Sequence, residues 1–234
     1  MYGYNASLKA ETGWSAEIAL KQGVKVGEFK GFLDVAVFWS EYRDMMEFTF
    51  GQYAAPTIQS SGLGFQSQNI GNTRIAGIEF SMMGQGKIGP INVTTLMGYT
   101  YIDPRQTDFD PTVDTAKNTS PTNLLKYRYQ HTGKADVQLD YKKWSTGISM
   151  RANSFMENID KVFGENEFFF PGMKEYRNAH NKGDIIWDYR LSYEMNKNTK
   201  VAFVVNNMFN REVMVRPAYL APQRVFSFQV VVKV

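Results

Sequence analysis

The chain has 234 residues, of which 43% are hydrophobic and 15% aromatic, so it can form one sizeable domain and is not a disordered chain. Its 26 basic and 23 acidic residues are spread along the sequence without a basic block, which argues against a nucleic-acid partner. Cysteine is absent, which excludes disulfide frameworks, cysteine-based zinc sites and thiol nucleophiles.

The sequence also limits the kind of membrane protein that it could encode. No run approaches the roughly 18 apolar residues of a membrane-spanning helix, and the N-terminus lacks the basic region and apolar core of a secretory signal. If the protein is exported, we expect its signal to lie outside this chain. The mean hydropathy of -0.37 is compatible with a transmembrane β-barrel, because every second residue of such a strand faces away from lipid.

Alternation of apolar and polar residues with a period of two predicts an all-β protein of nine strands and no helix. The first strand has Ile18 and Leu20 on its apolar face and Glu17 and Lys21 on the other. The predicted strands are residues 15–26, 31–43, 72–84, 91–103, 127–141, 144–152, 184–195, 199–206 and 224–234.

Short and long connections alternate strictly between these strands. The short turns are residues 27–30, 85–90, 142–143 and 196–198, and the long loops are residues 45–71, 104–126, 153–183 and 207–223. All short turns therefore fall at one end of an antiparallel sheet and all long loops at the other. This asymmetry is typical of outer-membrane barrels and favours them over a soluble β-sandwich.

The distribution of aromatic and charged residues agrees with a membrane barrel. Aromatic residues gather near the long-loop ends at Trp39, Tyr99, Tyr101 and Trp187, and near the short-turn ends at Phe29, Phe32, Tyr141, Trp144 and Tyr193. Two such girdles are expected at the two lipid-water interfaces. The polar face, which we predict to face the barrel lumen, carries Asp34, Glu79, Asp136, Asp140, Asp188, Arg190 and Glu194.

Four segments resemble TonB-dependent outer-membrane receptors in the order in which that family carries them. LKAETGW at residues 8–14 looks like the family's "L-K-P-E-T" segment, and Gly77 and Glu79 in NIGNTRIAGIEFS at residues 69–81 resemble its "G-I/V-E" strand. VVNNMFNREV at residues 204–213 is similar to "V-x-N-L-F-N", and Pro222 and Arg224 precede the last strand.

The resemblance implies an antiparallel transmembrane barrel of about 22 strands with an N-terminal plug, located in the outer membrane of a Gram-negative cell. Such receptors import siderophores, cobalamin or glycans with energy from TonB. Its implied partners are outer-membrane lipid and lipopolysaccharide, the rest of the barrel and the plug, TonB through the plug region, and the barrel-assembly machinery. It implies no cofactor.

The strand count leads to an expectation about the domain organisation. Single-chain bacterial barrels have an even number of strands, whereas nine is odd. We expect residues 1–234 to be the C-terminal portion of a receptor barrel, without the plug and the first strands. Barrel closure and assembly are assigned to Arg224, Phe226, Phe228 and Val234, the last of which replaces the terminal aromatic residue usual in the family.

Ligand contacts are expected from aromatic and charged residues of the long loops. The candidates are Tyr53, Phe65, Arg105, Phe109, Phe163, Phe168, Phe169, Phe170, Tyr176, Arg177, Arg216 and Tyr219. The alternative for each is packing against other loop residues or against surface lipopolysaccharide. The sequence does not identify the nutrient.

Other functions remain open on the sequence alone. A barrel hydrolase could use His131 or His180, but no serine nucleophile motif surrounds either residue, so we predict no catalytic site. No cluster has the spacing of metal ligands, so we predict no metal site. A passive porin and a soluble β-sandwich are the remaining alternatives.

Overall fold

The computed structural model describes residues 2–3, 5–55, 62–114, 118–165, 168 and 170–233. Strands dominate the described residues, and the three helices are short. The elements are β1 (Tyr2–Gly3), β2 (Thr12–Val26), β3 (Phe29–Arg43), β4 (Met46–Gln52), β5 (Leu63–Asn69), β6 (Thr73–Ile88), β7 (Ile91–Gln106), α1 (Pro111–Asp114), β8 (His131–Tyr141), β9 (Trp144–Asn153), α2 (Lys161–Glu165), α3 (Met173–Ala179), β10 (Asp184–Glu194), β11 (Thr199–Asn206), β12 (Met214–Arg216), β13 (Tyr219–Leu220) and β14 (Val225–Val232).

The nine predicted strands form one antiparallel sheet in the order β2-β3-β6-β7-β8-β9-β10-β11-β14. Each strand of this sheet pairs with the strands that precede and follow it along the chain, so the sheet is an up-and-down meander. The predicted fold class is therefore confirmed. The sheet is open, with β2 and β14 at its edges.

Four short turns join strands at one end of the sheet. The β2–β3, β6–β7 and β8–β9 turns contain Gly27, Gly89 and Lys142, each with φ between 53° and 60°. A tight hairpin needs positive φ because only that backbone twist matches the twist of the flanking strands. The long connections all leave the opposite end, as predicted.

The strand register gives the sheet two chemically different faces. Ile18 lies opposite Val37, which lies opposite Ile78, which lies opposite Tyr101. At the other edge of the sheet, Phe203 lies between Leu191 and Phe228 on the same face. We call this surface the apolar face and the opposite one the polar face. Exposed apolar side chains cover the apolar face, for example Ile18 at 83% and Phe228 at 71% exposure.

One girdle assignment was wrong. Phe32 lies opposite Gly23 and Met83 on the polar face, whereas Phe29 lies opposite Val26 on the apolar face. The two phenylalanines are three residues apart in one strand, so they must point to opposite sides. The Lys21 ammonium lies 5.5 Å from the centre of the Phe32 ring, which fits the polar face.

The glycine of the "G-I/V-E" resemblance has a packing role in the sheet. A Cβ on Gly77 would lie 2.4 Å from the Tyr101 carbonyl oxygen and 2.5 Å from the ring of Phe38. Phe38 therefore covers the backbone of Gly77 on the polar face. Any larger residue at this position would displace the ring or the neighbouring strand.

The long connections are more ordered than the sequence predicted. Residues 45–71 contain the β4–β5 hairpin, and β1 pairs with β5 in parallel. The loop at residues 153–183 contains α2 and α3, so the prediction of no helix was wrong. These helices have five and seven residues, too few for a clear period of 3.6 in the sequence.

Within the described ranges, we find no helix with the length and apolar character needed to cross a membrane.

Candidate functional site

The long-loop end of the sheet carries a folded cap. This loop cap consists of residues 44–55 and 62–72, with the β4–β5 hairpin, and of the described parts of residues 107–130, 154–183 and 207–224. Polar contacts join the base of the hairpin to the segment that precedes β2. The Asn69 amide donates to the Lys9 carbonyl at 3.0 Å and accepts from the Lys9 N–H at 2.8 Å, and Glu11 accepts from the Met46 N–H at 2.7 Å. The "L-K-P-E-T"-like segment therefore anchors the hairpin.

Asp160 joins three parts of the loop cap. Its carboxylate, 4% exposed, pairs with the Lys126 ammonium, accepts from the Tyr127 hydroxyl at 2.5 Å and accepts from the Phe50 N–H at 3.0 Å. Burial and the negative charge of Asp160 raise the pKa of the Tyr127 hydroxyl, so Tyr127 remains a donor. The contacts connect the hairpin, the β7–β8 loop and the β9–β10 loop.

A second, partly buried charge pair lies beside the first. The Arg128 guanidinium donates to Glu47 at 2.8 Å, and the Glu47 side chain is 8% exposed. Burial raises the pKa of Glu47 from its ordinary value, and this effect outweighs the opposing charges of Arg128 and Lys126. Two carboxylates therefore connect the hairpin with residues 126–128: Glu47 directly, and Asp160 as a bridge between Phe50 and Lys126.

A cavity of about 600 Å³ opens between the hairpin and the neighbouring loops. Its polar lining includes Thr49, Tyr53, Gln68, Lys126 and Asp160. Such a mixture of hydroxyl, amide and charged groups suits a polar ligand better than an apolar one. Its size is within the range of small-molecule sites.

Three of the aromatic candidates pack together inside the loop cap. Phe163 is 5% exposed and belongs to a core with Met156 and Ile159. Its ring centre lies 4.4 Å from that of Phe170 and 6.2 Å from that of Phe65. These rings stabilise the loop cap, which favours the packing alternative for them.

A second group of candidates fixes the β9–β10 loop. The Tyr176 hydroxyl donates to Asp184 at 3.4 Å and accepts from the Met214 N–H at 2.7 Å. Burial is the main cause that raises the pKa of Tyr176 to about 12. The Arg177 guanidinium donates to the carbonyls of Met156 and Glu157, and its burial lowers its pKa.

The remaining loop candidates are dispersed. Tyr53 donates to the Thr49 carbonyl at 3.0 Å and lines the cavity, while Arg105 is paired with Asp103 at 2.6 Å in β7. Arg216 stacks over the half-exposed ring of Tyr219 at 5.2 Å.

Two further candidates, Phe109 and Phe168, lie in the described parts of the long loops. Phe109 is partly buried, and the side chain of Phe168 is 88% exposed. The ligand candidate Phe169 and the barrel-closure residue Val234 lie outside the described residues.

The "V-x-N-L-F-N" segment fixes the start of the last strand. Asn207 is buried at 4% exposure with a φ of 50°; its amide donates to the Arg211 carbonyl and its backbone N–H donates to Asp188. Asn210 accepts from the Arg224 N–H at 2.9 Å, and the Arg224 guanidinium donates to the Met208 carbonyl.

The two aromatic residues assigned to barrel closure occupy the apolar face of the edge strand. Phe226 lies opposite Val205 and Phe228 opposite Phe203, and both rings are more than half exposed.

The register places the seven charged candidates on the polar face. Arg190 donates two hydrogen bonds to Asp136, at 2.6 and 2.7 Å, and a third to Ser149. Arg151 pairs with Asp188 at 2.9 Å and Lys21 with Asp34 at 3.9 Å. The other three residues on this face are Glu79, Asp140 and Glu194.

The histidines do not form a catalytic arrangement. His131 Nδ1 lies 2.7 Å from the Tyr99 hydroxyl at the long-loop end of the apolar face, and His180 stacks on Tyr176 at 4.1 Å. In the ranges that the structure describes, no group of three or more His, Asp or Glu side chains could hold a metal.

The sequence missed several residues that build the loop cap: Glu47, Phe50, Lys126, Tyr127, Arg128 and Asp160. Phe50 and Asp160 are 110 positions apart, and no local pattern links them. The one available signal was the opposite charge of residues in different loops, Glu47 and Asp160 against Lys126 and Arg128, and it does not apply to Phe50 or Tyr127.

Comparison with known proteins agrees with this architecture. A family model described as "TonB dependent receptor-like, beta-barrel" matches residues 1–208. The ferric-catecholate import receptor Fiu of E. coli has 19% identity and a TM-score of 0.66, over 99% of this chain and 30% of that one. The copper transporter OprC has 15% identity and a TM-score of 0.62, over 97% of this chain and 32% of that one.

The pyoverdine outer membrane receptor FpvA of Pseudomonas aeruginosa has 14% identity and a TM-score of 0.59, over 97% of this chain and 30% of that one. No curated protein sequence matches the chain. Identities this low show a shared fold alone, and the chain spans about a third of the length of these structures. The family match covers most of the chain and includes eight of the nine strands of the meander, so the chain belongs to the TonB-dependent receptor β-barrel family.

Proposed function

We propose that residues 1–234 are the C-terminal portion of an outer-membrane receptor that imports a scarce nutrient with energy from TonB. The observation that carries the proposal is the two-ended sheet. It has an apolar face across nine strands, short turns at one end and a folded loop cap at the other. The family match supports active uptake over a passive porin or a hydrolase.

In this proposal the apolar face contacts lipid and the polar face lines the lumen, where a plug would contact the Asp136–Arg190 pair. The loop cap would lie outside the cell. Its cavity between the β4–β5 hairpin and Asp160 is the proposed place for ligand contacts, with Tyr53 as one of its lining residues. The polar lining favours a hydrophilic ligand, such as a metal chelate or a glycan, over an apolar one.

The test uses the complete gene product in cells with and without a functional TonB. Labelled ferric siderophores, cobalamin and oligosaccharides are supplied under nutrient limitation, and accumulation is measured. We expect accumulation of one ligand class that disappears without TonB. Equal accumulation without TonB, together with a steady conductance of the purified protein in planar bilayers, would show a passive porin instead.

A further inference from the structure

The short-turn end of the sheet carries an unusual concentration of lysine. We define the lysine collar as residues 25–30, 85–92, 140–144, 194–200 and 231–233. These segments contain eight lysines, no arginine and three carboxylates, a net charge of +5 against +3 for the whole chain. The eight lysines are Lys25, Lys30, Lys87, Lys142, Lys143, Lys197, Lys200 and Lys233, and all are exposed.

Basic side chains form ion pairs at the long-loop end of the sheet but, in the part of the chain that the structure describes, not in the lysine collar. At the long-loop end, Arg74 and Arg105 pair with Asp103, and Arg128 pairs with Glu47. Among the described residues, no carboxylate lies within ion-pair distance of any collar lysine. Lys25 and Lys30 even lie directly opposite each other in the β2–β3 ladder, an arrangement that repels. The collar therefore carries positive charge that the described protein leaves unpaired.

Two adjoining turns and the end of β14 bring part of the collar together. The Lys143 ammonium donates to the Met195 carbonyl at 3.4 Å, and the Lys143 carbonyl accepts from the Glu194 N–H. The Lys233 N–H donates to the Asn198 carbonyl at 2.8 Å. The β8–β9 turn, the β10–β11 turn and the end of β14, which carry Lys142, Lys143, Lys197 and Lys233, therefore adjoin one another and form one basic patch at the rim of the sheet.

Aromatic residues of the apolar face border this patch. Tyr141 lies opposite Trp144, and the ring centres of Trp144 and Tyr193 are 4.6 Å apart. The Lys142 ammonium lies 5.1 Å from the centre of the Tyr141 ring, so its charge sits at the border between the apolar face and water. Aromatic rings with a polar tip and lysines with long apolar stems both favour a lipid-water interface.

We propose that Lys142 and Lys143, with Tyr141, Trp144 and Tyr193, form a binding site for the phosphate headgroup of an anionic phospholipid. Acyl chains would lie along the apolar face while the headgroup phosphate contacts the two ammonium groups. Lysine is suited to this task because it acts as a mobile point charge and does not need the planar geometry that arginine requires. The proposal rests on the membrane placement given under the proposed function.

The test reconstitutes the complete protein in phosphatidylcholine vesicles that contain brominated phosphatidylglycerol or brominated phosphatidylcholine. Bromine quenches nearby tryptophan, and the Trp144 signal is the difference between the protein and its Trp144→Phe variant. We expect phosphatidylglycerol to be preferred at Trp144 by about fivefold for each lysine that contributes. The double variant Lys142→Gln/Lys143→Gln should lose this preference.

The matched control is Lys25→Gln/Lys30→Gln, which removes the same charge from the same collar but on the polar face. It should keep the preference at Trp144. Equal quenching by both lipids, or equal loss in both double variants, would overturn the site. Lysine-dependent binding of a glutamate-rich peptide without a lipid preference would overturn it in favour of a protein partner. Failure to form a heat-modifiable barrel would instead contradict the membrane placement.

Discussion

Replacing Asp160 by alanine should release the β4–β5 hairpin from the rest of the loop cap. The substitution leaves the Lys126 ammonium, 12% exposed, without its counter-charge, and removes the acceptor of the Tyr127 hydroxyl and of the Phe50 N–H. Breaking a buried ion pair costs about 3 to 5 kcal/mol. We expect about 3 kcal/mol here, because Lys126 keeps partial access to water.

Hydrogen exchange of the Phe50 amide in the complete receptor is the direct measurement. A loss of about 3 kcal/mol raises the open population on the order of a hundredfold, and exchange should accelerate by that factor. The strands of the sheet should exchange unchanged. Glu165→Ala is the matched control. It removes an exposed carboxylate of α2, the helix that follows Asp160, where the Glu165 carboxylate lies 3.8 Å from the Lys161 ammonium. Unchanged protection of Phe50 in the Asp160 variant would refute the assignment of Asp160 as the joining residue.

Three further substitutions and one expression experiment test other parts of the structure. Tyr176→Phe leaves the Met214 N–H without its acceptor, so its exchange should accelerate by roughly tenfold, whereas Tyr219→Phe, at a half-exposed ring, should not change it. The pKa of Glu47 is raised in the folded state, so its protonated form is favoured by folding. Protection of the hairpin should therefore fall as pH rises from below 4.5 through the raised pKa, and Glu47→Gln should flatten this profile in exchange measured against pH. Asn207→Ala removes buried hydrogen bonds and places alanine at a positive φ that asparagine tolerates better. We expect the free energy of unfolding of the barrel to fall by about 2 to 4 kcal/mol, seen as a lower midpoint in urea unfolding. Residues 1–234 expressed alone should give no heat-modifiable monomer, because lipid does not tolerate two open sheet edges; a folded monomer on a gel would contradict the segment assignment.

The sheet could be predicted from the sequence because the period-two pattern that identifies each strand lies within that strand. Each strand alternates between two media, and Ile185 to Tyr193 repeats this pattern without reference to any other part of the chain. The β4–β5 hairpin was not predicted, although Met46, Phe48 and Phe50 alternate with Glu47 and Thr49 in β4, because the glycine, serine and glutamine residues of β5 leave that strand with only two apolar side chains. The stability of the hairpin comes from pairing with itself and from contacts between distant positions, which join Asn69 to Lys9, Met46 to Glu11, Glu47 to Arg128 and Phe50 to Asp160.

The construction of the loop cap also shows why aromatic residues were weak indicators of a ligand site. A long loop that extends beyond the end of the sheet has no sheet core to pack against, so it must supply a core of its own. Phe163 and Phe170 supply it, and Phe163 is 5% exposed, which removes its ring from contact with a ligand; Phe65 packs against Phe163 at the edge of this core and stays 36% exposed. The polar groups around Asp160 remain beside open space because they line the cavity. Ligand contacts are therefore better sought at the hydroxyl, amide and charged groups that the packing of these rings leaves facing that cavity.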